Sequence, residues 1–550
     1  MNNAIASKDA LNLSVGVSLT SQQVAALTHD IVWLEEHEIN GEKVLVPVLY
    51  LAQADGRLAP NGALIAGKDV TLIAGENLDN VGTLKATNNL SATAGQDLVN
   101  SGLISAGNRL DALAGNDITN KAGGIIAGRD VTVTAIGGDV TNERTITSLD
   151  SSTRGRLHKD YADSAARIEA ANDLSVSAGR DINNIGSALQ SGRDLTLSAG
   201  RDVNTVSSQV VNSLVLNRKH TSSDVTQTTS TISAGRDLSV QAGRDVNAIA
   251  TQIDAKRDIA IAASENVTIA SAANEDHYLS KSKKLTIQED HVHQVSTEIN
   301  AGGSVALSAG QNLAVISSRI TAGDEAYLVA GDKLDILTAQ DSDYSLYNKK
   351  SKGSFGRKKT KRDEVTHVTN IGSEITSGGN MMLVSGGDQH YQVAKLHSGE
   401  DLTVDSGGAI TFEGVKDLHQ ESHEKSNSSL AWTSMSGKGR TDETLRQSEL
   451  IAKGNLAIKA VDGLHIDVKQ VNRQTVSQAI DAMVKADPDL AWLKDAEKRG
   501  DVDWKLIKET HDSYKYSHSG LGPRRDVGDH HRDSFDCGCR KRRSRDDGGS

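Results

Sequence analysis

Aromatic side chains make up only 3% of this 550-residue chain, three of them phenylalanine. It therefore lacks the large rings that dominate the cores of ordinary globular domains. Cysteine is nearly absent: Cys537 and Cys539 both lie in the last 14 residues, so everything before them must fold without disulfides. That does not fix a redox compartment, because a fold held by stacking needs no staples. The two cysteines are also too close together for an ordinary structural zinc pair, and His530 and His531 beside them add little. Positive charge is not in excess: 60 Lys and Arg stand against 72 Asp and Glu, net -12, which gives no warrant for a nucleic-acid partner. No apolar run reaches 18 residues, so no helix is expected to span a bilayer. The opening MNNAIASKDALNLSVGVSLT has no basic region followed by an apolar core, so no signal peptide is visible.

Glycine is plentiful, with 50 residues, and its spacing is regular. Between Ala66 and Gly138 an Ala-Gly pair followed by a polar residue and a short apolar stretch keeps returning, as in AGKDVTLIAGENLDNVG. Gly67, Thr87, Gly107 and Gly128 mark one phase; Gly75, Gly95 and Gly115 mark a second, eight residues on. The same spacing returns at Gly179, Gly192 and Gly200, at Gly235 and Gly243, at Gly302, Gly310, Gly323 and Gly331, and at Gly378, Gly386, Gly399 and Gly407. A unit of about 20 residues holds two or three short strands, too few to bury a face alone, so the units must stack.

Val70, Leu72 and Ala74 fall at period two and glycine is dense, which together exclude helical repeats. Leucine-rich repeats would need a leucine-dense consensus with an Asn or Cys ladder, and neither is read here. The pattern predicts an all-β chain: a right-handed parallel β-helix solenoid with short helical modules at its ends. Gly is expected to turn the corners with positive φ, and the neighbouring Asp or Asn to bond the corner backbone. About 13 coils at roughly 4.8 Å each give a rod of about 60 Å.

Four segments follow. Residues 1–60 form a helix-strand cap or junction, with Val24, Leu27, Ile31 and Leu34 on a helical stripe, Trp33 near it and Ser21 as cap. A strand interrupted by Pro47 comes next. Residues 61–460 form the β-helix, with polar insertions near 142–170, 206–230, 272–300, 339–370 and 413–448 that map to one edge of the rod as a contact surface. Residues 461–522 read as short helices carrying Val476, Ile480 and Met483, then Leu490 and Leu493 after Pro488, then Trp504, Ile507 and His511. Residues 523–550, rich in Arg-Asp, read as disordered or as a frameshifted end.

Of 17 histidines, the densest groups are His277 with His291 and His293, and His419 with His423. No H-E-x-x-H motif or cysteine set accompanies them, so they read as solvated insertion residues; His29 reads as packed or surface. The Arg-Asp pairs at 129/130, 180/181, 201/202, 236/237 and 244/245 read as surface ladders up a corner. Calcium is not required by these corners, which lack the Gly-Gly-x-Gly-x-Asp repeat. Carbohydrate-cleaving β-helices need paired carboxylates in a groove lined with aromatics, which the coils lack. The reading assigns no catalytic residue, cofactor site or metal site, and no enzyme activity.

The AG[RQK]DL coils and their Lys/Ser-rich insertions resemble the second haemagglutinin-repeat region of filamentous haemagglutinins and, more closely, of contact-dependent growth inhibition toxins exported by two-partner secretion. ALTHDIVWLEEHEINGEKVLVPVLYLA at 26–52 is similar to the segment before those repeats, and DAEKRGDVDWKLIKETHDSYKYSHSGLGP at 495–523 to the start of the pretoxin region after them. The resemblance implies a structural and delivery segment of a large secreted or cell-surface effector. It implies an outer-membrane secretion transporter and a target-cell surface or outer membrane as partners, and an immunity protein only if a toxin domain is restored. An adhesin rod for host-cell attachment or biofilm formation is the alternative. In the family an apolar Gly/Ala-rich stretch follows the SGLG matched at 519–522, and the tail departs from that pattern.

Overall fold

The computed structural model describes residues 64–468 apart from 154, 355, 356, 430 and 431. It also describes Ile31–Ile39, Glu42–Tyr50, Val502–Leu506, residues 507 and 509–521, and the isolated Val17, Leu19 and Lys494. Leu64–Gly67, Val70–Ala74 and Leu78–Asn80 make the first coil, and each strand founds a parallel sheet that runs the length of a right-handed β-helix. Walls one and two hold 13 strands each and wall three holds 14. At about 4.8 Å per coil this is a rod of about 60 Å.

Alternation places every second side chain inside. In Leu90–Ala94 the residues Leu90, Ala92 and Ala94 are buried while Ser91 and Thr93 are half-buried. Register then stacks like on like: Leu90 lies against Leu110, Leu110 against Val131, and Val131 against Leu174. The resulting core is thin and continuous, built mainly of Ala, Val, Leu and Ile, with Tyr391 and the adjoining Phe412 as a local exception.

The corner glycines do fall into register, but not because of positive φ. Among the described glycines only Gly123, Gly155, Gly186 and Gly463 have positive φ. A Cβ on Gly95 would instead overlap the carbonyl oxygen of Gly75, one on Gly115 that of Gly95, and one on Gly200 that of Gly179. Coils pack backbone on backbone at these corners, which glycine suits, although Thr87, Ala171, Lys256 and Ser264 hold the same corner in other coils. Beside it the expected side-chain bonds to the backbone are present: the N–H of Asp117 donates to Asp97 Oδ1 at 3.1 Å, and that of Asp139 to Asp117 Oδ1 at 2.8 Å.

The Arg-Asp ladders join successive coils. Arg180 Nε donates to Asp139 at 2.8 Å, Arg201 to Asp181 at 2.7 Å and Arg244 to Asp202 at 2.8 Å along one corner. Along a second, Arg193 donates to Asp173 at 2.7 Å, and Arg236 and Arg257 to Asp194 and Asp237 at 2.6 Å each. Arg129, by contrast, bonds its own neighbour Asp130.

An asparagine ladder, not read from the sequence, runs inside the rod. Asn80, Asn100, Asn120, Asn142 and Asn184 are buried, and each Nδ2 donates to the next Oδ1 at 2.7 to 2.9 Å. A side-chain amide can donate and accept at once, so a stacked column satisfies itself. Past Asn184 the register continues through Thr205, Ala248 and Ile269, and the column becomes apolar.

Two of the spans expected to be helical, at 31–39 and within 502–521, are strands. Ile31–Ile39 is a strand paired antiparallel with Glu42–Tyr50, which runs unbroken through Pro47 opposite Leu34. Ile31 and Trp33, two residues apart, are both buried, a strand period, and the sequence joining the two strands, Asn40-Gly41, is one that favours hairpins. The helix expected around Trp504 to His511 is likewise replaced. Val502–Leu506 extends wall three beside Leu464–Val468, and His511–Leu521 is a strand of the sheet described below. Val24, Leu27, His29, the stripes at 476–493 and the tail 523–550 lie outside the described residues.

Candidate contact surface

All five polar insertions are β-hairpins, and all leave the rod at the corner between wall three and wall one. The first pairs Ile146–Ser151 with Arg156–Ala162; the second, Ser208–Asn217 with His220–Thr228; the third, Ala272–Lys281 with Leu285–Val295. The fourth pairs Ala339–Lys352 with Lys358–Ile371, and the fifth Val415–Ser428 with Trp432–Arg446. Adjacent hairpins pair in turn, and His511–Leu521 closes the row, giving one 11-stranded antiparallel sheet.

The geometry explains the spacing. Hairpins sit on alternate coils, and a two-stranded hairpin spans about 9.6 Å, the rise of two coils. The sheet is therefore continuous at no cost in register. The intervening coils must turn the same corner tightly, and they do so with a left-handed residue: Gly186 (φ 55°), Ala250 (φ 48°), Ser317 (φ 47°) and Val393 (φ 49°).

Both faces of this sheet are polar and largely open. Its few buried side chains lie at hairpin roots, such as Ser208, Asn370 and Leu445. At its far edge the rings of Tyr514 and Tyr516 cover Gly439 and Gly437 across the strand pair, which fixes the register of the last strand.

The two histidine groups singled out by the sequence, His277 with His291 and His293 and His419 with His423, lie here. On one face a single cross-strand row reads Asp276, His291, Asp343, His367, His419, Asp442, His511. His291 Nδ1 is 2.6 Å from Asp343 Oδ1, the His367 and His419 Nδ1 atoms are 3.2 Å apart, and His511 Nδ1 is 3.1 Å from Asp442. His423 bonds Asp363 at 2.8 Å in a second row on that face. His277, grouped with His291 by sequence, follows Asp276 and so points to the opposite face, where it pairs with Asp290. Asp341 and Asp343 carried no sequence signal, because only strand register between separate hairpins brings them to His291 and His293.

Local charge shifts several of these groups. The Asp150 carboxylate hydrogen-bonded to His158 raises that imidazole's pKa, and Glu509 with Asp442 raises that of His511. Burial, helped by a 2.8 Å bond to Glu364, pushes the Tyr344 hydroxyl up to about 12.

Toward the hairpin tips the sheet turns basic. Lys349 lies opposite Lys361, and Lys361 opposite Lys425. With Lys359 and several Ser and Thr residues they line a groove of about 560 Å³. Like charges directly opposite on adjacent strands are destabilising; Asp363, 2.6 Å from Lys361 Nζ, and the Tyr347 ring beneath that ammonium offset only the middle of the row, with Lys349 and Lys425 on either side of it.

Among the described residues no helix is long and apolar enough to cross a membrane. Comparison with known proteins agrees with the solenoid. A haemagglutinin repeat family matches residues 148–214, 216–289, 280–358 and 353–477, and a second matches 49–112 and 96–158. The chain is 32% identical over 419 residues to the 16S rRNA endonuclease CdiA of Enterobacter cloacae, covering 74% of this chain and 13% of that protein. It is 32% identical over 410 residues to the deoxyribonuclease CdiA of Dickeya dadantii, covering 70% and 12%. To the tRNA nuclease CdiA of an Escherichia coli strain it is 33% identical over 423 residues, covering 75% and 12%. The chain thus spans about an eighth of the length of these relatives. No solved structure matches it. With repeats matched over more than half its length and stacked as one continuous solenoid, the chain belongs to the haemagglutinin-repeat family.

Proposed function

We propose that this chain is the structural and delivery segment of a large secreted, cell-surface bacterial effector similar to the CdiA toxins, with no catalysis of its own. Three relatives named for three different nucleic-acid substrates share this same stretch over 70 to 75% of the chain. A segment common to all three does not set their chemistry. The solenoid serves as a stiff spacer and the hairpin sheet as the surface that meets the target cell. In this reading an outer-membrane secretion transporter exports the full-length protein, residues 461–522 lead toward the pretoxin region, and an immunity protein matters only where a toxin domain follows. The likeness to toxins favours delivery over host adhesion.

The observation that carries this is the opposed lysine row at the tips, which an anionic surface would neutralise. Near an anionic membrane each Lys contributes roughly 1 kcal/mol. Replacing Lys349, Lys361 and Lys425 together by Gln should lower association with anionic vesicles about 100-fold, by that same principle, and flatten its salt dependence. Co-sedimentation with anionic and neutral vesicles measures this. Equal binding of the parent chain to both kinds of vesicle would sink the proposal.

A further inference from the structure

We propose that His291, His293 and Asp343 bind one divalent transition-metal ion of the zinc class, bridging the third and fourth hairpins. His291 and His293 are two residues apart on Leu285–Val295, so their rings project from one face; the centroids are 6.4 Å apart and the planes 8° from parallel. Asp343, on the next hairpin, is the register partner of His291. Its Oδ1 lies 2.6 Å from His291 Nδ1 and 3.7 Å from His293 Nε2.

The three candidate ligand atoms lie within 4.8 Å of one another. Tetrahedral ligands at about 2.0–2.2 Å from an ion sit roughly 3.3 Å apart, so small side-chain rotations suffice. A second carboxylate stands behind the set. Asp341 Oδ2 is 3.6 Å from His293 Nδ1, and the N–H of Gln294 donates to Asp341 Oδ1 at 2.7 Å. A carboxylate on the far nitrogen orients a ligating imidazole, here presenting Nε2 to Asp343. Two imidazoles and one carboxylate suit zinc, cobalt or nickel, whereas magnesium and calcium prefer all-oxygen sets.

His291 and His293 also line a cleft of about 1230 Å³ between the hairpin sheet and wall one, together with Asp276 and Glu298. With three protein ligands a fourth position faces that cleft, open to water or to a donor from a bound partner. The ion would add a tie between two hairpins already joined by strand pairing and by hydrogen bonds from Gln294.

The test uses the full chain, stripped with a chelator and titrated with Co²⁺ followed by absorption and with Zn²⁺ followed by calorimetry. The expected result is visible d–d bands and one equivalent bound at micromolar dissociation constant or tighter. His293→Gln, at a side chain 59% exposed, and Asp343→Asn should each weaken that equivalent at least 10-fold with circular dichroism unchanged. His220→Gln, on the second hairpin, should not. Absence of bound metal, binding indifferent to His293→Gln and Asp343→Asn, or equal loss in His220→Gln would each overturn the proposal.

Discussion

Single positions in this rod are governed by how closely one coil's backbone approaches the next. At Gly95 and Gly115 that approach leaves no room for a methyl group, so glycine is needed there, whereas Thr87 and Lys256 hold the same corner in other coils. Ser317 shows the opposite mismatch. It turns a tight corner at φ 47°, where a side chain costs of order 1 kcal/mol, and its buried hydroxyl has no hydrogen-bond partner. Ser317→Gly removes both costs while adding unfolded-state entropy, and should stabilise the chain by about 1 kcal/mol. Thermal unfolding of the variant beside the parent measures it, and a lower midpoint would contradict the account. The positions of Gly75, Gly95 and Gly115 were legible in the sequence, but their reason was not, since one chain does not show which atom of a neighbouring coil lies against them. Asn80, Asn100 and Asn120 recur at the coil period as plainly as the glycines. Their period alone does not tell whether the amides face the core or the solvent, so the ladder is not legible in one chain.

Between elements, the hairpins and the coils share a dimension. Two strands of hairpin and two turns of solenoid have the same rise, so alternate insertion is the only spacing that makes an unbroken outer sheet. Removing residues 208–228, so that Val206 leads into the next strand through a tight corner like that at Ala250, should leave the three walls intact. Arg156–Ala162 and Ala272–Lys281 would then lose their partners across a gap of about 14 Å. Hydrogen exchange should quicken in both strands and stay unchanged in Leu195–Ala199 and Leu238–Ala242. Uniform loss of protection along the walls would show instead that the outer sheet holds the rod together. The polar insertions and their common edge were readable from composition and phase. Their strand pairing was not: Asn212 meets Lys159, and His291 meets Asp343, across stretches of more than 50 residues with no periodic signal. The segment at 31–39 is ambiguous in sequence because Ile31 and Leu34 also fit a helical stripe, while the Asn40-Gly41 step after it favours a hairpin.

For the whole molecule, stability is close to a sum of coil-to-coil interfaces, so a small term repeated at each coil becomes a property of the rod. The Arg-Asp ladders are such a term. Hydrogen bonds from Arg180, Arg201 and Arg236 hold Asp139, Asp181 and Asp194 below the usual carboxylate range. A depressed folded pKa contributes stability that is present above the unfolded value, about 3.9, and lost as pH falls through the folded one. His158 and His511 act in the other direction: their raised folded values contribute below about 6.5, and that contribution is lost as pH rises through them. Each ion pair is partly exposed and individually weak, but the carboxylates outnumber the imidazoles and recur up the rod. The melting temperature should be highest between about pH 4 and 6.5, fall steeply below 4 as the ladders protonate together, and decline only slightly toward pH 8. That slight decline should show as faster exchange in Arg156–Ala162 and His511–Leu521, leaving the walls unaffected. A melting temperature that held constant from pH 5 to pH 3 would mean that the ladders follow the stacking of coils and do not strengthen it.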